Sequence, residues 1–354
     1  MGAGCRKQPA LAIWYQLDNR ICTEMKEQEL LARRSVPWQQ SPNEMTQSQP
    51  TPEIMARIER ARALFDSVPA DEMVDSVSRL FELQPDEATD EFIYPAQPHT
   101  NRARIFGGQV VAQSLMAAAR TVEPEKQIHS LHAYFLRGGQ ETAPLHFRVH
   151  RDFDGRSFSN RRVVVRQEGK VIFNLTASFQ VPDPGLAHQV PMPDLLPPEQ
   201  CLDFTDFIAL SPNMDDRLLQ QLSKPRPFEM RSFRPAPKEK ATQHYQWFRL
   251  RGSIGDDPLL NRAFLSFASD MGLLSSSMLP HGLNWTTPGL FSTSLDHAMW
   301  FHNDVRVEDW FVYVMDSGWT GNSRGINHGY IYRQDGTLIA SVVQEGLLRY
   351  KPPA

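Results

Sequence analysis

One pattern of residues occurs twice in this 354-residue chain, and the repetition limits what it can fold into. The run RRVVVRQEGKVIFNLTASFQ (161–180) is echoed by HGYIYRQDGTLIASVVQEG (328–346). Each consists of two alternating runs joined by an acid–glycine pair, Glu168-Gly169 and Asp335-Gly336. Val171, Phe173, Leu175, Ala177 and Phe179 share one face of the first copy, with Ile172, Asn174, Thr176, Ser178 and Gln180 on the other. That is the period of a half-buried strand, and the acid–glycine pair predicts a hairpin turn. An earlier strand precedes each copy, HSLHAYFLR in one and TSLDHAMWF in the other. The intervals from Ser130 to Gly169 and from Ser294 to Gly336 differ by three residues. A helical stretch comes before each strand: GGQVVAQSLMAAARTV, entered through Gly107 and Gly108, and DPLLNRAFLSFASDMGLLSSSML. One long helix followed by an antiparallel sheet, twice, is an α+β architecture made by duplication. A central helix wrapped by a curved antiparallel sheet is the hotdog fold, so a double hotdog is expected.

The repeats divide the chain into a first hotdog at 71–181 and a second at 241–354. Residues 182–240 are rich in proline and read as a connector crossing the surface. Residues 1–70 form an N-terminal extension. Its first 50 residues have few apolar side chains to bury, and Thr51-Pro52 then opens a helix reaching about Phe65. A further short helix, ADEMVDSVSRLFEL, follows.

Composition excludes several classes of function. The net charge of −4 offers no basic face for a nucleic-acid backbone. Three scattered cysteines give neither a disulfide framework nor zinc-ligand spacing, which suits a reducing cytoplasm. No run approaches the ~20 apolar residues of a membrane helix. No phosphate loop, dinucleotide glycine motif or zinc-protease motif occurs, so no cofactor or metal is expected.

Three polar residues stand where apolar ones would be routine. Gln344 shares a strand face with Leu338, Ala340, Val342 and Leu348, where an unsatisfied amide costs about 1–3 kcal/mol. Asp270 continues a helical stripe through Ala263, Phe267 and Leu274, an expensive place for a carboxylate unless it is paired or does chemistry. Ser294 lies on the strand LFSTSLDHAMWF. Strict alternation groups it with Ser292, Asp296, Ala298 and Trp300, opposite Thr293, Leu295, His297, Met299 and Phe301. Each also has a plain structural reading: a satisfied core amide, a helix-edge carboxylate, an ordinary strand hydroxyl. Gly321-Asn322-Ser323-Arg324-Gly325 matches the nucleophile elbow of serine hydrolases, but a strand rather than a helix follows it and no histidine occurs after His328. Asp183 and His188 have a hotdog-hydratase spacing, without a helix to carry it.

The stretches RIFGGQVVAQSL, IHSLHAYFLRGG, FASDMGLL, STSLDHAMWFH and GTLIASVVQEGLLR resemble, in order, the type II (TesB-like) acyl-CoA thioesterases. The likeness runs over residues 90–352. It implies a site made of an aspartate, a threonine and a glutamine. These correspond to Asp270 in FASD, Gln344 in VQEG, and Ser294 where the family has threonine. Thr293, one residue away, is the fallback if a bulge shifts the register. On this reading Asp270 is a general base while Ser294 and Gln344 aim a water at the thioester. Gly107 and Gly108 either line an oxyanion site or permit tight helix–sheet packing. Arg324, with Arg137, Arg161 and Arg162, is a candidate for the CoA phosphates, against the plainer reading of surface arginine. The expected substrate is an acyl-CoA and the expected assembly a homodimer or tetramer. The alternatives are a non-catalytic acyl-CoA-binding protein on the same fold and a serine esterase using Ser323.

Overall fold

Glu168 and Gly169 take positive φ angles of 48° and 76°, the backbone of a two-residue turn that matches the twist of its flanking strands. Gly336 does the same in the second copy, at 85°. A computed structural model of the chain describes residues 51–86, 90–97, 104–210, 214–232, 243–285 and 287–352. The expectations for residues 1–50 lie outside the described residues.

Two helices come first, α1 (Pro52–Phe65) and α2 (Ala70–Leu80), followed by β1 (Gln84–Asp86) and β2 (Glu91–Tyr94). The first repeat continues with α3 (Gly107–Ala119), β3 (Gln127–Phe135), β4 (Leu145–Asp154), β5 (Phe158–Gln167) and β6 (Lys170–Gln180). The proline-rich segment then contributes β7 (Leu202–Asp203), α4 (Phe204–Ala209), α5 (Asp216–Leu222) and β8 (Phe228–Ser232). The second repeat comprises β9 (Gln243–Leu250), α6 (Pro258–Ser269), β10 (Leu290–Ser294), β11 (Asp296–Phe301), β12 (Phe311–Gly321), β13 (Arg324–Arg333) and β14 (Leu338–Tyr350).

The strands form a single antiparallel sheet. From the β3–β11 junction its order is β3, β6, β5, β4, β2 on one side and β11, β14, β13, β12, β9 on the other. The halves mirror each other, as the duplication requires, and the architecture is a double hotdog. Both central helices lie in one core, with Val111, Leu115, Phe264 and Leu265 fully buried. α2 joins the same core through an edge-on contact of Phe81 with Phe264, at 5.3 Å and 81°. Such a pair adds about 0.5–1.5 kcal/mol beyond simple burial.

The proline-rich segment holds more structure than its composition suggested. α4 and α5 bury Ile208 and Leu219 against Ile58 and Ala61 of α1 in a small separate core. Phe228, Met230 and Ser232 alternate inward, so β8 pairs with β9 at the sheet's end.

α6 is shorter than the sequence implied. Gly272 adopts left-handed φ of 85°, which ends the helix, and residues Leu273–Ser277 continue as a 3-10 turn. That turn presses onto the inner face of β13 and β14, where glycines make room for it. A Cβ on Gly346 would overlap the Leu274 side chain, and one on Gly325 would overlap Ser277. Between them Asn327 accepts the Ser277 N–H at 2.8 Å and donates to the Gln344 carbonyl at 3.0 Å. Gly346→Ala therefore forces overpacking, and chemical denaturation should read a loss of about 1–3 kcal/mol.

Candidate active site

Asp270 is the C-cap of α6 rather than a mid-helix residue, with φ −86° and ψ −2°. Asp257 caps the other end of the helix by accepting the Leu259 and Leu260 N–H groups, and Pro258 occupies its first turn. At the C-terminal end, the carbonyl of Ser269 accepts from the Tyr313 hydroxyl at 3.0 Å. The Ser269 hydroxyl donates to the Ser266 carbonyl at 2.8 Å and lies 2.9 Å from His297 Nε2. A hydroxyl has one hydrogen, and that one is taken, so His297 is the donor through Nε2–H. Burial holds the His297 pKa down to about 4, which keeps the ring neutral in that role.

Gln344 of β14 is fully buried, and its amide joins the three predicted residues. Nε2 donates to Asp270 Oδ1 at 2.7 Å and to Ser294 Oγ at 2.9 Å. Asp270 and Ser294 are partly buried, so the group is open on their side. Ser294 rather than the exposed Thr293 supplies the hydroxyl.

The beginning of α3 completes the arrangement. Its N-cap, Phe106, offers no side-chain acceptor, and the Gly108 N–H is bonded to Asp270 instead. Asp270 Oδ2 lies 2.5 Å from where a Cβ of Gly107 would stand. A Cβ on Gly108 would strike the Phe267 carbonyl of α6. The two glycines thus have different tasks: Gly107 leaves room for the carboxylate, and Gly108 lets the two helices touch. Burial raises the Asp270 pKa to about 6, while the Gln344 amide and the Gly108 N–H act in the opposite sense.

Three of the four candidate arginines have carboxylate partners of their own. Arg324 projects from the outer face of β13 and pairs with Glu345 at 3.2 Å, across the sheet from Gln344. Arg162 is exposed and pairs with Asp152. Arg161 is fully buried, contrary to its reading as a surface arginine, and binds Asp154, Thr121 Oγ1 and the Thr121 carbonyl. Alternation on β5 explains this, since Arg161 shares the inward face with Val163 and Val165. Ser323 sits in the β12–β13 hairpin with φ of 58°, not at a strand-to-helix elbow. His297 reads from the sequence as a packed or supporting histidine, whereas Ser269 and Tyr313 escape that reading as supports of Asp270. Their signal is polarity within FASD and on an inward strand face.

A carboxylate near neutral pKa, a hydroxyl and an amide converging beside an uncapped helix start define a site that can activate water. The profile for acyl-CoA thioesterase matches residues 216–347, and that for the acyl-CoA thioesterase N-terminal domain matches residues 95–180. Acyl-coenzyme A thioesterase 8 of Homo sapiens is 39% identical over 262 residues, covering 70% of this chain and 82% of the relative. Acyl-CoA thioesterase 2 of Haemophilus influenzae is 33% identical over 287 residues, covering 78% and 99%. Among solved structures, an acyl-CoA thioesterase II, TesB2, from Mycobacterium marinum superposes with a TM-score of 0.63 at 36% identity, over 78% of this chain and 98% of that one. The chain belongs to the acyl-CoA thioesterase family. Among the described residues no helix is long and apolar enough to cross a membrane, and no cluster of potential metal ligands occurs.

The raised pKa of Asp270 makes it a cost to the fold. Below about pH 4 the group is protonated folded or unfolded, and the cost is absent. Between about pH 4 and 6 only the folded state resists ionisation, so stability falls across that window, and above it both states are ionised and the cost is constant. Asp270→Asn is therefore expected to be more stable than the parent at pH 7.5, by on the order of 2 kcal/mol. The gap should close as pH drops from about 6 towards 4, read by denaturant titration across that range.

Proposed function

We propose that Asp270, Ser294 and Gln344 direct a water molecule onto the thioester carbon of an acyl-CoA, giving a free acid and CoA. The observation that carries this reading is the Gln344 amide bridging the Asp270 carboxylate and the Ser294 hydroxyl, at 2.7 and 2.9 Å. Asp270 takes a proton from the water as general base, and a pKa of about 6 leaves it ionised yet basic at neutral pH. Ser294 and Gln344 fix the direction of approach. With the Gly108 N–H held by Asp270, the Gly107 N–H at the positive end of α3 is the donor for the developing oxyanion. The tetrahedral intermediate then collapses by breaking the carbon–sulfur bond. The thiolate of CoA leaves and regains the proton that Asp270 took up.

The acyl chain lies against the apolar groups around the start of α3. Phe135 reaches within 3.1 Å of the Gly107 Cβ position, and Phe106 packs on Phe267 at 5.0 Å. No covalent acyl-enzyme is formed, because the one hydroxyl in the group has no base of its own to act as a nucleophile.

A thiol-release assay on acyl-CoAs of increasing chain length tests the reading. The parent should turn over, with kcat/KM falling on the acid side through a pKa near 6. Asp270→Asn should lose about 100- to 10,000-fold in kcat, the usual worth of a general base. Gln344→Ala should lose about 100-fold, as expected for a misaligned water. Parental turnover in folded Asp270→Asn sinks the mechanism.

A further inference from the structure

Ser294 and His297 both face the interior, although they are three residues apart. Ser294 meets Gln344, and His297 is fully buried against Ser269. In an unbroken strand such residues point to opposite sides. The pairing shows where the pattern changes. Ser294 stands opposite Gly346, whereas Ala298 stands opposite Val343. Four steps along β10–β11 thus match three along β14, which is a bulge of one residue.

Its hydrogen bonds are specific. The Leu295 N–H donates to the Glu345 carbonyl at 2.9 Å, and the Leu295 carbonyl accepts from Phe135 of β3 at 2.9 Å. The Glu345 N–H donates to a side chain, Asp296 Oδ1, at 2.6 Å. A carboxylate has taken the ladder position that the extra residue vacates. Asp296 is two residues from Ser294, and Glu345 is next to Gln344.

We propose that Asp296 is a positioning residue for hydrolysis: by accepting the Glu345 N–H it holds the bulge that turns Ser294 onto the Gln344 amide. The proposal rests on the reading of Ser294 as a water-aligning hydroxyl. Without the bulge, the alternation that places His297 inward would turn Ser294 to the outer face with Asp296, Ala298 and Trp300.

The test is thiol release by the full chain for the parent, Asp296→Ala, Asp296→Asn, Ser294→Ala and the Asp296→Ala/Ser294→Ala double variant. Asp296→Ala is expected to lower kcat about tenfold with KM changed less than about twofold, the pattern of a misplaced group that does not bind substrate. Asp296→Asn keeps a side-chain acceptor and should recover to within about threefold of the parent. With Ser294 already absent, adding Asp296→Ala should cost less than about twofold, because both changes remove the same alignment. Ser294→Ala impaired alongside a parental Asp296→Ala overturns the role of Asp296 alone, as does a fully additive cycle. Parental turnover in Ser294→Ala overturns the reading of Ser294 and this inference with it. If Asp296→Ala is not recovered folded, Asp296→Glu carries the same test. Its longer side chain misplaces the acceptor, so parental kcat in that variant also overturns the proposal.

Discussion

The site depends on the meeting of two helix ends around one carboxylate. Asp270 closes α6, where the helix presents its negative end and disfavours further negative charge. The start of α3 supplies the compensation through the Gly108 N–H and the positive end of that helix. The two helices approach closely because Gly108 carries no side chain where the Phe267 carbonyl lies. Burial pushes the carboxylate up, and the Gln344 amide and the Gly108 N–H draw it back down. A pKa of about 6 is the compromise between these influences. The clamp of Tyr313, His297 and Ser266 on Ser269 has the same purpose, since the last residue of a helix is the first to fray.

The same frame in the first repeat carries none of this chemistry, and the differences are specific. Counting from the hairpin glycines, Ala177 occupies the place of Gln344, and Arg120 is the C-cap of α3 where Asp270 caps α6. Arg161, opposite Ala177 on the ladder, holds the position that Asn327 holds opposite Gln344. Its guanidinium is turned inward and saturated by Thr121, Asp154 and backbone carbonyls. The start of α6, which corresponds to the open start of α3, is closed by the Asp257 cap. Duplication supplied two equivalent cradles, and each polar substitution at the second one satisfies itself internally.

Much of this was legible in the sequence, for identifiable reasons. Long alternating strands and acid–glycine hairpins are local signals, and they located the duplicated sheet. Gln344 and Asp270 drew attention because a polar group on an apolar face needs an explanation. The bulge was not legible, because it arises from a hydrogen bond between Asp296 and the distant Glu345 backbone. Alternation read through it grouped Ser294 with Trp300, whereas the folded strand places them on opposite faces. The end of α6 was overrun because helical periodicity continues into the 3-10 turn, and only Gly272 marks the break. β2, β7 and β8 span five residues or fewer, too short to establish a period. Arg161 was misjudged by residue type, although its neighbours Val163 and Val165 already indicated an inward face.

The direction of each hydrogen bond limits what the three residues can do. An ionised carboxylate only accepts, so Gln344 must turn its NH2 towards Asp270, and both of its hydrogens are then committed to Asp270 and Ser294. Ser294 accepts one of them, which leaves its own hydrogen to donate outward. A water placed between Ser294 and Asp270 accepts that hydrogen and donates one of its own to the carboxylate. One lone pair stays free for the thioester carbon, and the water cannot rotate it away without losing a hydrogen bond. Threonine would serve identically, because the added methyl restricts χ1 without altering the donor. Glutamate in place of Gln344 would not, since two carboxylates in contact share a proton and Asp270 would cease to be a free base. The amide is therefore the member of the group whose chemistry is least replaceable: in the proposed reaction it contributes no proton, and its two N–H bonds set how Asp270 and Ser294 face each other.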